Sequence, residues 1–223
     1  MSTSALDLAG TLAELRSKNP VRNALLEDLK EKGVTAEQLR RLAAIEYLCH
    51  QGELVAYGTL LARFPHAPAG GFLLEISRLV YDAHPKLRTA AHALGLSDQD
   101  LGHWPLGTDA VAFNGFISYL ALHGTQADMA LAMYTDMVVY FGACGELIQG
   151  LRAGAADVPD EFLTYYEGGA SEELSQQALQ TVQDGLDRGD DPYAAVRNAR
   201  SLEEHIGLFW RAAADTSDSV TSQ

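Results

Sequence analysis

Positive charge is scarce in this chain: 16 lysines and arginines stand against 30 acidic residues, leaving a formal charge of −14. A surface that acidic repels phosphate backbones, and no stripe of basic residues offsets it, so nucleic acid is excluded as a partner. Long hydrophobic runs are missing too. The longest strongly apolar stretches, such as Met137-Val138-Val139-Tyr140-Phe141, fall far short of the roughly 20 residues a membrane span needs. The segment Met1-Ser2-Thr3-Ser4-Ala5 lacks the basic and apolar regions of a signal peptide. Of the two cysteines, Cys49 and Cys144, each falls inside a helical pattern, which favours free buried thiols over a disulfide. These absences lead to the expectation of a cytoplasmic protein with no membrane partner. There is also no Gly-rich phosphate loop, no H-E-x-x-H and no G-x-S-x-G. His50, His66, His92, His103 and His123 are scattered without metal-ligand spacing.

Helical periodicity dominates what remains, and alternating strand patterns are almost missing. The spacing predicts a short helix over 6–18 and a second after Pro20. Thr35 with Gln38 makes a capping box that opens a long helix to Phe64. Pro65 and the Ala67-Pro68-Ala69-Gly70-Gly71 stretch break it. A helix over 72–94 follows, with Pro85 as a candidate kink and Gly95 as its C-terminal stop. Residues 96–107 read as a loop with a turn at Ser97-Asp98-Gln99-Asp100. Further helices are expected over 109–123, from Thr125 and Asp128 to Leu151, over 161–166, from Ser171 to Arg188, and from Asp191-Pro192 to Ala214. One domain over 1–215 is expected, with a disordered polar tail over 216–223.

Charge is informative where it interrupts these helices. Between Asp128 and Glu146 the only charged residue is Asp136. A helix apolar on nearly every face is central, and a carboxylate in its middle must be paired, protonated or turned to a cavity. Tyr140, one turn on, shares its face, and Cys144 extends the line. Glu46 repeats the pattern in Leu42-Ala43-Ala44-Ile45-Glu46-Tyr47-Leu48-Cys49. Two carboxylates on two otherwise apolar stretches suggest one polar pocket inside a helical bundle. Burial is expected to raise both pKa values and mutual repulsion to split them, giving one proton donor and one acceptor. Glu75, Asp82 and His84 on one helix, and Glu203, Glu204 and His205 on the last, are weaker candidates that surface charge explains.

The phrase Glu46-Tyr47-Leu48, the helix running into Gly95 and the Leu96-to-Leu101 turn form a recognisable series. The aromatic helix Phe113 to Tyr119, the apolar helix with Asp136 and Tyr140, and the closing Phe209-Trp210 continue it. On these residues, from Asn19-Pro20 to Ala214, the chain resembles TenA (thiaminase II) and its relatives, which include pyrroloquinoline-quinone synthase. The resemblance implies an all-α, haem-oxygenase-like bundle around an internal pocket, assembled as a homodimer or homotetramer. Thiaminase II members cleave or deaminate thiamin-related pyrimidines with a cysteine nucleophile, an early acid, a ring of tyrosines and a late glutamate. Glu46 matches the early acid and Tyr140 the tyrosine one turn after the nucleophile, but Asp136 falls at the cysteine's place. Phe113, Phe116 and Cys49 replace tyrosines, and Ile206 falls near the late glutamate, with Glu204 and His205 just before it. A carboxylate is a far poorer nucleophile than a thiolate, so the usual covalent route is lost unless Cys49 or Cys144 substitutes.

The resulting expectation is a metabolic enzyme acting on a small heterocyclic or apolar molecule without a metal or other cofactor. Glu46 and Asp136 do the acid/base work and Tyr140 orients the substrate or donates a proton, with Tyr47, Cys49, Phe113, Phe116, His205 and Phe209 as substrate-binding residues. Hydrolysis or deamination is the reaction the resemblance implies. One alternative is an iron oxidase using a variant ligand set from Glu46, Glu75, Asp82, Asp136 and His205. Relatives that bind two irons do so through E-x6-H and H-x3-D-x2-H. Here the matching offsets after His205 carry Phe209 and Ala212, and no E-x6-H is present. The other alternative is a binding or regulatory protein that kept the pocket and lost the chemistry.

Overall fold

The computed structural model describes residues 3–105, 107–154, 157–169 and 171–215. The tail expected over 216–223 lies outside them. Among the described residues there are ten helices and no strand. They are α1 (Ala5–Lys18), α2 (Ala24–Glu31), α3 (Ala36–Arg63), α4 (Ala69–Ala93), α5 (Asp98–Gly102), α6 (Thr108–His123), α7 (Gln126–Ala153), α8 (Asp160–Tyr166), α9 (Glu172–Asp187) and α10 (Pro192–Ala214).

Side chains at the helix starts explain why the boundaries fall there. Four helices open on reciprocal capping boxes: Ser4 with Asp7, Thr35 with Gln38, Ser97 with Asp100 and Thr125 with Asp128. Each satisfies backbone N–H groups that the first turn leaves unpaired, a contribution of about 1 kcal/mol. The Ser97 box turns the expected turn into the short helix α5. At the far end of α4, Gly95 takes φ +84°. Its N–H donates to His92 O and that of Leu96 to Ala91 O, the paired bonds of a Schellman stop. Helix α4 begins at Ala69 rather than Phe72 and runs unbroken through the exposed Pro85.

Helix α7 is the centre of the molecule. It packs against α9, α10 and α2, while α3 packs against α4, α6 and α10. Of the described helices, α7 alone is long and apolar enough to cross a membrane. Here the bundle covers its apolar N-terminal half instead: Ala127, Met129, Ala130, Leu131, Ala132 and Met133 are all buried. Helix α9 comes close enough that a Cβ on Gly185 would lie 2.8 Å from Ala127 N and 2.7 Å from the Asp190 carboxylate. That carboxylate accepts from Ala127 N at 2.8 Å, capping α7 from the α9–α10 turn.

Two side chains of α3 tie its ends to its neighbours. Gln38 Nε2 donates to Ala214 O, and Arg63 donates to Ala121 O and Gly124 O, satisfying carbonyls at the ends of α10 and α6. Glu203 is a buried acid with a structural role. Only 1% exposed, it is clamped between Arg16 and Arg200, which accounts for it without a metal.

Candidate functional site

Helices α3, α4, α6, α7, α8 and α10 enclose a cavity of about 770 Å³. Its polar wall is built by α3 and α7. One turn of helix separates residues three or four apart, so Glu46, His50, Glu53 and Tyr57 fall in a line along α3, and all four line the cavity. Opposite them α7 contributes Asp136, Tyr140 and Cys144, and α8 closes the ring with Tyr165 and Tyr166. Ile76, Val80, Phe113, Met137 and Phe209 supply apolar surface. The exposed Asp160, Glu161 and Lys86 also line it, where the cavity opens to the surface between α8 and α4.

Glu46 is surrounded by partners. Tyr165 Oη donates to its Oε1 at 2.6 Å, and His50 Nε2 lies 3.7 Å from the same oxygen and 3.2 Å from the Tyr165 hydroxyl. Burial alone would raise the Glu46 carboxyl, but His50, Tyr140 and Tyr165 more than offset it and hold the pKa below the usual value. The expectation that burial raises both acids therefore fails at Glu46, because the neighbours stabilise its anion. Burial disfavours the His50 cation in turn, yet Glu46 and Glu53 raise it above the ordinary histidine value. The two form a buried ion pair.

Asp136 is the opposite case. It lies deep in the molecule, keeps accessible surface because it faces the cavity, and has no hydrogen-bond partner among the described residues. Burial first, then the Glu53 and Glu46 charges, push its carboxyl well above the usual range, which favours the neutral form. Glu53 lies between these extremes. Burial raises it, while His50 and the Tyr57 hydroxyl, donating at 2.9 Å, favour its anion.

Several buried polar atoms on this wall lack hydrogen-bond partners among the described residues: Glu46 Oε2 and the hydroxyls of Tyr140 and Tyr166. The Tyr140 ring is fixed between Trp210, stacked at 5.7 Å, and Phe209, edge-on at 5.8 Å. Its hydroxyl is close enough to favour the Glu46 anion but makes no hydrogen bond of normal length. These donors and the acceptor lie on one wall of a cavity that opens to the surface, where water or the polar atoms of a ligand can pair with them.

The cysteines are free, buried and on the cavity wall. Burial and the neighbouring carboxylates push both thiols well up, leaving them protonated and weakly nucleophilic. Neither replaces the missing thiolate.

Of the residues singled out in the sequence, Glu46, Asp136, Tyr140, Cys49, Phe113 and Phe209 come together on this cavity. Tyr47, Phe116 and His205 do not line it. Tyr47 is about 100° around α3 from Glu46 and packs on His84, ring centres 4.6 Å apart. Phe116 stacks on His205 at 4.5 Å, and His205 Nδ1 donates to Ser201 O. The variant iron set does not converge either. Glu75 and Asp82 are exposed, with Asp82 facing Arg78, and no group of three or more His, Cys, Asp or Glu among the described residues is placed to hold a metal.

The fold and the site together define an all-helical bundle built around an enclosed, acid-lined cavity. Solved structures show the same fold. A TenA homologue from Pyrococcus furiosus superposes with a TM-score of 0.68 at 16% identity, over 92% of this chain and 99% of that one. The TenA homologue from P. horikoshii OT3 gives 0.70 at 14%, over 94% and 96%. A protein from Silicibacter sp. TM1040, described as a TenA family transcription regulator, gives 0.71 at 15%, over 96% and 97%. The chain thus has the TenA-like helical fold over nearly its whole length. No protein-family model and no curated protein matches it.

Proposed function

We propose that the cavity is an active site in which Glu46 and Asp136 act as a proton acceptor and a proton donor on a small, largely apolar molecule bearing nitrogen or oxygen atoms. The observation that supports this most is the opposite state of two carboxyls on one cavity. His50 and Tyr165 surround Glu46 and favour its anion, whereas Asp136 has no partner among the described residues and burial pushes its carboxyl well up. Two acids driven apart in pKa by their surroundings are the pattern that acid/base catalysis requires. Tyr140, packed against Trp210 and Phe209 with a free hydroxyl, would position a substrate heteroatom between them. With protonated thiols at Cys49 and Cys144, the reaction would use water rather than a covalent thioether or thioester route. Hydrolytic cleavage or deamination of a C–N bond is the class that the likeness to thiaminase II suggests.

The test is turnover of thiamin-related pyrimidines and other small N-heterocyclic amines by wild type, Asp136→Asn and Glu46→Gln. Each variant should lose about 10²- to 10⁴-fold in rate while retaining its helical circular dichroism. A substrate turned over equally well by wild type and Asp136→Asn would remove Asp136 from the chemistry.

A further inference from the structure

We infer that the cavity takes an organic cation, an ammonium group on a compact apolar body, with the charge seated between Glu53 and Asp136. This rests on the reading of the cavity as a substrate site and names the chemical class of what enters it.

The acids of the inner wall outnumber its cations. Glu46, Glu53 and Asp136 face inward with His50 as the one basic partner among the described residues. His50 is already committed to Glu46, only 3.7 Å away. Glu53 is 7% exposed, and its single hydrogen bond is from Tyr57 to Oε1, leaving the other oxygen without a partner. Asp136 has no partner at all among the described residues. A second unit of negative charge can exist in this interior only if a cation arrives with it. An ammonium ion supplies both that charge and the N–H donors that the free carboxyl oxygens lack.

The rest of the cavity sets the body of the ligand. Ile76, Leu79, Val80, Phe113, Met137 and Phe209 surround the acids with hydrocarbon, which a bare metal ion would leave unused. Asp160 and Glu161 outnumber Lys86 where the cavity opens, and the whole chain carries −14, so cations are drawn toward the entrance. Burial pushes the Glu53 carboxyl up, while His50 and the Tyr57 hydroxyl favour its anion, so Glu53 is the acid that an arriving cation would ionise. Asp136, pushed up further and without such partners, is the acid left as donor.

Calorimetric binding of phenethylamine, its neutral counterpart phenethyl alcohol and the anion phenylacetate to the intact protein at pH 7 tests this. The amine should bind at least about tenfold more tightly than the alcohol, a difference of about 1.4 kcal/mol, and phenylacetate should not bind. Glu53→Gln should erase the preference for the amine over the alcohol, while Glu53→Asp, which keeps the charge, should retain it. Should Glu53→Gln not fold, the Glu53→Asp and wild-type comparisons still decide. Equal affinity for amine and alcohol, an undiminished preference in folded Glu53→Gln, or no binding of the amine at millimolar concentration would each overturn the inference. The acid/base reading fails separately, through retained turnover in Asp136→Asn, a result that leaves the amine preference untouched.

Discussion

Helices α3 and α7 are both 28 residues long and both carry acids into the interior, yet they treat those acids differently. Helix α3 brings the partners along on its own face: His50 one turn after Glu46, Tyr57 one turn after Glu53. Helix α7 offers Asp136 nothing of the kind, since the positions one turn away are Ala132 and Tyr140, whose hydroxyl makes no hydrogen bond. The first arrangement stabilises an anion inside the protein. The second leaves a carboxyl protonated and open to whatever enters the cavity. Glu203 marks a third outcome, an acid so fully paired by Arg16 and Arg200 that it has no chemistry left.

Breaking the α3 arrangement should have the largest effect. His50→Ala strands the Glu46 anion in a buried site and should destabilise the fold by about 3–5 kcal/mol, read from urea unfolding. Tyr165→Phe removes one charge-assisted hydrogen bond to Glu46 and should cost about 1.5–3 kcal/mol by the same measurement. Should either variant be as stable as wild type, Glu46 is not held as an anion.

Relieving α7 should do the reverse. The folded state binds a proton at Asp136 that the unfolded chain has released above about pH 3.9. Stability therefore falls as pH rises from there, by up to about 1.4 kcal/mol per pH unit, until the raised folded pKa is reached. Asp136→Asn keeps the shape, removes that slope and should be more stable than wild type at pH 7. Each kcal/mol gained is worth about 2–4 °C in Tm for a domain of this size. Glu46 gives the opposite slope and His50 the same one. The depressed Glu46 pKa adds stability above about pH 4.3 that is lost as pH falls through its folded value. The raised His50 pKa adds stability below about pH 6.5 that is lost as pH rises through its folded value. A calorimetric pH series in which Asp136→Asn runs parallel to wild type would mean that Asp136 ionises normally.

The same comparison explains what could be read from the chain beforehand. Helix starts were legible because capping is local: Thr35 with Gln38 and Thr125 with Asp128 announce α3 and α7 within four residues. Glu46 and Asp136 stood out because a charge in an apolar stretch needs an explanation. The line of Glu46, His50, Glu53 and Tyr57 is present as helical spacing, but spacing alone does not show that this face of α3 turns to a cavity. Tyr165 carried no readable signal. It sits on a seven-residue helix and meets Glu46 across 119 positions of sequence, a contact that only the tertiary fold creates. Tyr47, Phe116 and His205 were misplaced for a related reason: spacing gives the faces of a helix but not which face turns inward.

The central claim is that one acid in the cavity is charged and the other is not. Infrared spectroscopy of the wild-type protein at pH 7, with Asp136→Asn and Glu46→Gln as references, reads this directly from the carbonyl stretch of a protonated carboxyl. Absorption of a protonated carboxyl is expected in wild type, weaker in Asp136→Asn, where Glu53 alone can still supply it, and undiminished in Glu46→Gln. A wild-type spectrum with no protonated carboxyl, or a band that disappears with Glu46→Gln instead, would contradict the claim.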